Sequence, residues 1–153
     1  MASRLNILGR EGTNLAEVWA DENPRAYLGI ATPGFPNFFM MGGPNTGLGH
    51  GGSAIFQAEC QARYISGLLV QMIENNVAAV DVKLEPFEKF IDKVDREHEQ
   101  LVWTHPDVST YYRNKHGRVV SVMPFRLVDY WSMTRGPSLS DYFVDEHSCN
   151  VAW

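Results

Sequence analysis

Residues 42–52 have the composition of a backbone site that binds a flat or phosphorylated ligand. Six of these eleven residues are glycine; the apolar run 38–41 precedes them, and a helical pattern begins near Ser53. A strand, a glycine loop and a helix in that order let a backbone approach a ligand, because glycine permits positive φ and lacks a Cβ. The helix start adds free N–H groups and a positive dipole end, worth roughly 0.3–1 kcal/mol to an anion. The alternative interpretation is a connection whose glycines serve packing alone.

The glycine spacing assigns no ligand by itself. The spacing of Gly47, Gly49 and Gly52 is not followed by an acidic residue at the end of a second strand, which a dinucleotide fingerprint requires. A P-loop is also excluded, since His50 stands where its lysine would be. Histidine is a common general base because its unperturbed pKa is about 6.5, but without a placed carboxylate we interpret the lone His50 as structural.

Three stretches resemble, in order, the C-terminal part of flavin-dependent Baeyer–Villiger monooxygenases. They are residues 9–29 with GREG and PRAYLG, residues 34–65 with GFPNFFM, GPNT and LGH, and residues 111–131 with YYRN, GR and DYW. The resemblance covers nearly the whole chain and is nearest to the hydroxyacetophenone monooxygenase-like branch of the flavin-containing monooxygenase superfamily.

This resemblance implies an α/β fold, the C-terminal segment of an FAD/NAD(P)-binding Rossmann-like flavin domain, with a strand, a glycine loop and a long helix followed by an α+β helical extension. Residues 1–153 would form a single partial domain, with residues 84–153 as the extension. The implied cofactors are FAD and NADPH. The implied reaction inserts one oxygen atom from O2 into a small-molecule ketone and gives an ester or a lactone.

The resemblance also implies the residues that contact the cofactors, and it implies no catalytic or metal-binding residue in this chain. The expected contacts are Gly43, Pro44, Asn45, Thr46, Leu48, Gly52, Ser53, Ala54, Tyr111 and Arg113. The N–H groups near residues 52–54 would face the pyrimidine end of the flavin and favour negative charge on the reduced ring.

Residues 111–118 resemble the mobile loop that folds over nicotinamide and substrate. Tyr111 stands where relatives often carry tryptophan. Arg113 and Arg118 fit phosphate or carboxylate binding and fit solvated surface cations equally well. We interpret three further aromatic residues as a docking surface rather than a substrate cage: Tyr130, Trp131 and Tyr142.

The chain lacks the parts of such enzymes that bind the nucleotides. Complete GxGxxG fingerprints, the FxGxxxHxxxW signature and the catalytic arginine are absent from the sequence. We therefore expect this chain alone to be inactive and to need upstream flavin and nicotinamide domains in cis or in trans. It could be a truncated product, a gene-model fragment or half of a split enzyme. The alternatives are a non-catalytic remnant that acts as an assembly domain and a small flavin module served by a separate reductase.

Hydrophobic periodicity predicts the helices. One covers residues 53–75, another begins at Pro86, a short one covers residues 127–133, and Thr13-Asn14 offers the N-cap of one that runs to Trp19. The predicted inward stripe of the first is Ile55, Ala58, Ala62, Ile65, Leu69 and Met72, widened by Phe56, Cys60, Tyr64 and Leu68. The predicted inward residues of the second are Phe87, Phe90, Ile91, Val94, His98, Leu101 and Val102.

Short strands are predicted at residues 5–8, 38–41, 80–83 and 119–122. Because residues 38–41 are apolar on both faces, they suit a central parallel strand whose neighbours would come from upstream sequence. The unpaired edges predict an isolated chain that is unstable or depends on a partner. Residues 21–36 are predicted to be irregular, and the tail after Pro137 to be loosely ordered, with Tyr142 and Phe143 as the residues in it that could dock.

Composition excludes several function classes. At 153 residues and 44% hydrophobic the chain can bury one core, and its net charge of −5 argues against a nucleic-acid partner. No apolar stretch reaches the roughly 20 residues of a membrane span, and no signal peptide is evident. Cys60 and Cys149 predict neither a disulfide framework nor a zinc site, so we expect a cytoplasmic protein. Glu59 and Arg63 are predicted to pair on the helix surface.

Overall fold

The computed structural model describes residues 6–49 and 51–146, and the long helix α2 (Ala54–Glu74) packs mainly against a helix and a strand that follow it, α4 (Leu127–Thr134) and β1 (Val77–Val82). In this part of the chain, α1 (Leu15–Val18), α2, α3 (Leu84–His98) and α4 accompany the strands β1 and β2 (Tyr142–Glu146). Short 3-10 turns cover Arg10–Gly12, Ala20–Glu22, Val102–Thr104 and Leu139–Asp141.

The bounds of α2 agree with the predicted helix over residues 53–75, and both of its ends are capped. The Ser53 hydroxyl accepts from the Phe56 N–H at 3.1 Å, and Asn75 closes the other end with its amide on the Gln71 carbonyl. The predicted inward face is wrong in part, since Ile55 is 74% exposed and Leu69 is 43% exposed. The buried residues of α2 are Gln57, Cys60, Gln61, Tyr64, Leu68 and Met72. Both faces of this helix are apolar, so periodicity alone could not choose between them.

The sheet consists of β1 and β2, paired antiparallel with Val82 opposite Tyr142. The prediction of a loosely ordered tail is therefore wrong for residues 139–146. Tyr142 is buried, and its hydroxyl lies 2.9 Å from the Tyr64 hydroxyl on α2. Burial raises the pKa of Tyr142 to about 12, so both phenols stay neutral and bridge the sheet to α2.

Three predicted strands do not form among the described residues. Residues 6–8 make one bridge, at Leu8. Residues 38–41 make a turn-like bond from the Phe38 N–H to the Phe35 carbonyl at 3.2 Å and a bond from the Met40 N–H to the Ile30 carbonyl at 2.8 Å. Residues 119–122 instead form isolated bridges, from Val122 to Gly47 of the glycine loop and from Val119 to Arg113. An apolar run becomes a strand only beside a partner strand, and the described residues supply none for residues 38–41.

The core lies between α2, β1, α3 and α4. On α3, Phe90, Ile91 and Val94 face inward as predicted, whereas the helix ends at His98 and Val102 is 58% exposed. The charged residues on its outer face are all exposed: Glu88, Lys89, Asp92, Lys93, Arg96 and Glu99. The Asn14 cap is confirmed, because its side-chain oxygen accepts from the Ala16 N–H at 2.9 Å.

A buried carboxylate ties the N-terminal segment to the sheet. Asp81 on β1 is 5% exposed, and its two oxygens accept from the Arg10 guanidinium at 3.0 Å and from the Gly34 N–H at 2.8 Å. Arg10 also donates to Asp145 on β2 at 2.8 Å. The segments before α2 are thereby fixed against the sheet that follows it.

Candidate cofactor site

The glycine loop is held by the side chain of Asn45, which points into the protein. Asn45 is 5% exposed, and its amide Nδ2 donates to the Val119 carbonyl at 2.8 Å and the Val122 carbonyl at 3.3 Å. Its backbone N–H donates to the Val120 carbonyl at 3.0 Å. The left-handed φ of 56° at Asn45 suits asparagine, which tolerates this region better than most residues. This side chain therefore positions the loop and has no face toward a ligand.

Thr46 and α2 hold the other side of the same loop. Thr46 is buried, and its hydroxyl donates to the Gly43 carbonyl at 2.6 Å. The amide of Gln57, in the first turns of α2, donates to the Thr46 carbonyl. Gln61, one turn on, accepts from the Gly42 N–H at 3.0 Å. The loop is consequently fixed to the N-terminal half of the helix that follows it.

The glycines of the loop divide into two groups. A Cβ on Gly43 would clash with the Gly29 carbonyl, one on Gly47 would lie 2.9 Å from the Ser121 carbonyl, and one on Gly49 would lie 3.3 Å from Trp103. These three glycines serve close packing. By contrast, Gly42 and Gly51 have positive φ, and a Cβ added to either would meet no atom within 4 Å. Packing and an open backbone surface therefore occur in the same loop.

The start of α2 leaves backbone donors free. After Ser53 accepts from Phe56, the N–H groups of Ala54 and Ile55 have no acceptor among the described residues. Gly52, with φ of 117°, turns the chain into the helix beside Leu127. Residues 51–55 are all exposed, so a negatively charged group can reach the positive end of α2 here.

An aromatic group that the sequence did not predict as a unit adjoins the loop. Trp103 packs beside Gly49 and meets Tyr112 edge to face at 5.0 Å, and Tyr112 lies 4.3 Å from Tyr111. Tyr111 is 86% exposed. Arg113 donates to the His105 carbonyl at 3.3 Å and is otherwise uncommitted among the described residues. The structure thus connects Tyr111 with the loop through Trp103, which follows α3 and carries no motif signal of its own.

Several residues singled out in the sequence have structural positions instead. Arg118 donates to both oxygens of Asp95, at 3.0 and 3.2 Å, so the surface-cation interpretation is wrong. Tyr130 is buried and donates to the Leu28 carbonyl at 2.7 Å, so neither it nor the buried Tyr142 forms a docking surface. Glu59 and Arg63 do not form an ion pair with each other, so the pair predicted on the surface of this helix is wrong. Leu5, His50, His147 and Cys149 lie outside the described residues.

His98, the last residue of α3, contacts both the Asn45 side chain and one of the carbonyls to which that side chain donates. Its Nε2 lies 3.1 Å from the Val122 carbonyl and 3.5 Å from the Asn45 amide. Burial lowers the pKa of His98, and the hydrogen bond to Val122 offsets this only in part. The neutral ring that donates to Val122 is therefore the form the folded chain favours.

We expect acid to destabilise the chain through His98. Because the folded pKa lies below the unfolded value of about 6.5, the unfolded state takes the proton first as pH falls. The contribution of neutral His98 to the free energy of unfolding is fully present above about pH 6.5. As the pH falls from there to the folded pKa, this contribution decreases by up to roughly 1.4 kcal/mol per pH unit. Thermal melting at about pH 7.5 and about pH 5.5 measures this, and His98→Gln, which keeps a donor and does not titrate, should reduce the acid shift. An unchanged shift in that variant would contradict the prediction.

Among the described residues, no group of three His, Cys, Asp or Glu side chains is placed to hold a metal ion. The same part of the chain contains no helix with the length and apolar character needed to cross a membrane.

The chain is similar in sequence to curated monooxygenases. It is 42% identical over 138 residues to an uncharacterized monooxygenase, y4iD, of Sinorhizobium fredii, covering 90% of this chain and 21% of that protein. It is 31% identical to a Baeyer–Villiger monooxygenase of Pseudomonas aeruginosa, covering 90% of this chain and 26% of that protein. The chain therefore spans about a fifth to a quarter of the length of these relatives. No model of a known protein family matches it.

The fold is that of solved monooxygenases. The crystal structure of OTEMO in complex with FAD and NADP matches 94% of this chain with a TM-score of 0.78 and 20% identity, and this chain covers 26% of that one. The mixed helix and strand fold is thereby confirmed at the level of the overall chain path. The resemblance to the C-terminal part of Baeyer–Villiger monooxygenases, stated from the sequence, is also confirmed by the named relatives.

Proposed function

We propose, from this confirmed resemblance, that the chain forms the flavin-contacting part of an FAD- and NADPH-dependent monooxygenase that inserts one oxygen atom from O2 into a ketone. The observation that carries the proposal is the anchored glycine loop that ends at the open start of α2. Since the chain spans a fifth to a quarter of its relatives, the rest of the enzyme supplies the nucleotide-binding fingerprints. By itself the chain is inactive.

The residues of the loop fit a planar, partly anionic ring. The open backbone at Gly42 and Gly51 carries no Cβ, so a flat group can approach it. The unbonded N–H groups of Ala54 and Ile55 offer donors to carbonyl oxygens on one edge of that group. FAD supplies the redox chemistry when it is bound. This chain contributes a fixed surface and a positive dipole end that favour negative charge on the reduced ring.

The anchoring side chains keep that surface in place. Asn45, Thr46 and Gln57 fix the loop from inside, so the ligand meets a backbone that is already ordered. Gly43 and Gly52 belong to the same stretch of backbone, whereas the Pro44 side chain is buried and the Leu48 side chain packs against the core, so these two residues would contribute chiefly through their backbone. Tyr111 and Arg113 project from the adjoining aromatic group, where a phenol ring and a guanidinium suit the nicotinamide end and a phosphate of NADPH.

One substitution tests the backbone donors without changing a side-chain contact. Ala54 is the first residue of α2, where proline is tolerated, and Ser53 already has the extended backbone that a following proline requires. In a fusion in which this chain replaces the aligned segment of the Sinorhizobium fredii relative, Ala54→Pro should weaken FAD binding by roughly tenfold, since one hydrogen bond to a charged group is lost. Flavin absorbance after dialysis measures the change.

The matched control is Leu84→Pro at the first residue of α3, which also follows an extended residue and is exposed. It should leave FAD binding unchanged. The fusion itself should oxidise NADPH in a ketone-dependent manner across a panel of small ketones. A soluble, folded fusion that remains colourless with added FAD would refute the proposed function.

A further inference from the structure

We propose that Trp103 couples the two cofactor regions of this chain, so that a flavin bound at the glycine loop orders the loop that carries Tyr111 and Arg113. We call residues 111–120 the second loop. The inference rests on the proposed function and goes beyond it, because it assigns Trp103 as a positioning residue for the nicotinamide cofactor.

Trp103 lies directly against the glycine loop at a position close to its open backbone. Two atoms of the indole ring, Cζ2 and Nε1, lie 3.3 Å from the place that a Cβ on Gly49 would occupy. A larger residue at this position would therefore push the ring aside. Gly49 stands two residues before Gly51, which belongs to the proposed flavin surface. A ligand that orders the backbone at Gly51 thus changes what Trp103 packs against.

The same indole ring also contacts the second loop. Trp103 meets Tyr112 edge to face, with 5.0 Å between the ring centroids. The Tyr112 ring lies 4.3 Å from the Tyr111 ring, and the Tyr111 hydroxyl donates to the Tyr112 hydroxyl at 3.0 Å. Aromatic pairs of this kind contribute free energy beyond the area that they bury. The exposed Tyr111 is consequently held to Trp103 through a single neighbour.

Hydrogen bonds within the second loop connect Tyr112 to Arg113 and to the rest of the loop. The buried side-chain oxygen of Asn114 accepts from two backbone N–H groups of the loop, each at 3.0 Å. The Asn114 N–H donates to the Arg118 carbonyl at 2.9 Å, and the Val120 N–H donates to the Tyr112 carbonyl at 2.9 Å. A loop closed in this way shifts as one piece, so a contact made at Tyr112 also affects Arg113.

A second connection between the two loops runs through the backbone and has a different role. The Asn45 N–H donates to the Val120 carbonyl at 3.0 Å, which fixes the base of the second loop to the glycine loop. Asn45 is buried and is held from inside by the Val119 carbonyl, so this bond is in place whether or not a ligand is bound. Trp103 instead contacts the glycine loop beside the proposed flavin surface. We therefore expect Trp103 to carry the coupling.

This coupling has a consequence for the order in which the cofactors bind. A flavin at the glycine loop would restrict Tyr111 and Arg113 before the nicotinamide dinucleotide arrives. The second cofactor would then lose less conformational freedom on binding, which raises its affinity. Coupling between two ligand sites changes affinity by about 5- to 150-fold in typical proteins. NADPH should consequently bind best to the protein that already holds FAD.

The test measures hydrogen exchange by mass spectrometry in the fusion, with and without FAD and in the absence of NADPH. In wild type, FAD should slow the exchange of residues 111–120 by about fivefold or more. Trp103→Leu should reduce this slowing to less than about twofold, while FAD still slows the exchange of residues 43–48. Trp103→Phe keeps an aromatic ring beside Tyr112 and should retain most of the effect. The control is Trp131→Leu, which removes another partly buried tryptophan, on α4, and should behave as wild type.

Gly49→Ala changes the same contact from the side of the glycine loop. Its methyl group would displace the indole ring of Trp103, and the φ of Gly49 lies outside the left-handed region, so alanine causes no backbone strain. This variant should reduce the effect of FAD on residues 111–120 as Trp103→Leu does. Because both variants remove one contact, combining them should reduce the effect no further.

The ratio of exchange rates with and without FAD distinguishes coupling from a merely structural role. If Trp103 only stabilised the second loop, Trp103→Leu would speed exchange equally in both states and leave the ratio at its wild-type value, which would overturn the inference. It would also be overturned if FAD slowed exchange at residues 43–48 and not at residues 111–120 of wild type, a result that leaves the proposed function intact. A folded fusion that binds no FAD would overturn both proposals.

Discussion

Replacing Asn45 with alanine is expected to lower the free energy of local opening of the glycine loop by about 2–4 kcal/mol in total. The substitution leaves the buried carbonyl of Val119 without the amide that bonds it, while the Val122 carbonyl loses one of two donors and keeps His98. Alanine also tolerates the left-handed φ of 56° less well than asparagine, and this backbone effect accounts for about 1 kcal/mol of the total. Hydrogen exchange measured by mass spectrometry on peptides that contain residues 43–48 should be roughly 30- to 700-fold faster in the fusion.

The variant Asn45→Gly separates the two contributions. Glycine accepts the positive φ and removes the same amide, so its exchange should fall between those of wild type and Asn45→Ala. FAD binding should weaken in both variants, because the ligand would then have to order the loop. If residues 43–48 exchanged in Asn45→Ala at the same rate as in wild type, the hydrogen bonds from Asn45 would not be what holds the loop.

The sequence predicted the local parts of this structure well. The cap before α1, the start of α2 near Ser53 and its end at Asn75 depend on residues close together in the chain, and all are confirmed. Strand pairing joins distant residues, so no local pattern showed that Tyr142–Glu146 would pair with β1. For the same reason residues 38–41 were predicted as a strand although the described chain has no partner for them.

The candidate site divides in a similar way. Residues 43–46 were predicted as cofactor contacts from the family resemblance, and in the structure the loop adjoins the open start of α2. The side chains that hold it could not be predicted, because Gln57, His98 and Trp103 approach from other elements and match no motif. Asn45 and Thr46 were predicted as ligand contacts, and their buried side chains leave only their backbone for that role.

Gly43→Ala should destabilise the loop by about 3 kcal/mol or more, because the added methyl group would overlap a backbone that cannot move aside. The Gly43 Cα faces the carbonyl of Gly29, and a Cβ on Gly29 would in turn overlap the Thr46 side chain. The two chain segments therefore cross at their glycines. In the FAD-free fusion, hydrogen exchange of residues 43–48 should increase by roughly 100-fold or more.

The control is Gly136→Ala, whose new methyl group meets no atom within 4 Å and whose effect should stay within about 0.5 kcal/mol. This comparison decides between the two roles first considered for the glycines. If Gly43 were glycine only to admit a ligand, Gly43→Ala would keep wild-type exchange in the absence of FAD and lose only FAD binding. Because Gly43 crosses Gly29, we expect Gly43→Ala to lose both the slow hydrogen exchange of wild type and the binding of FAD. Packing at Gly43 would then be what keeps the ligand surface at Gly42 and Gly51 in position.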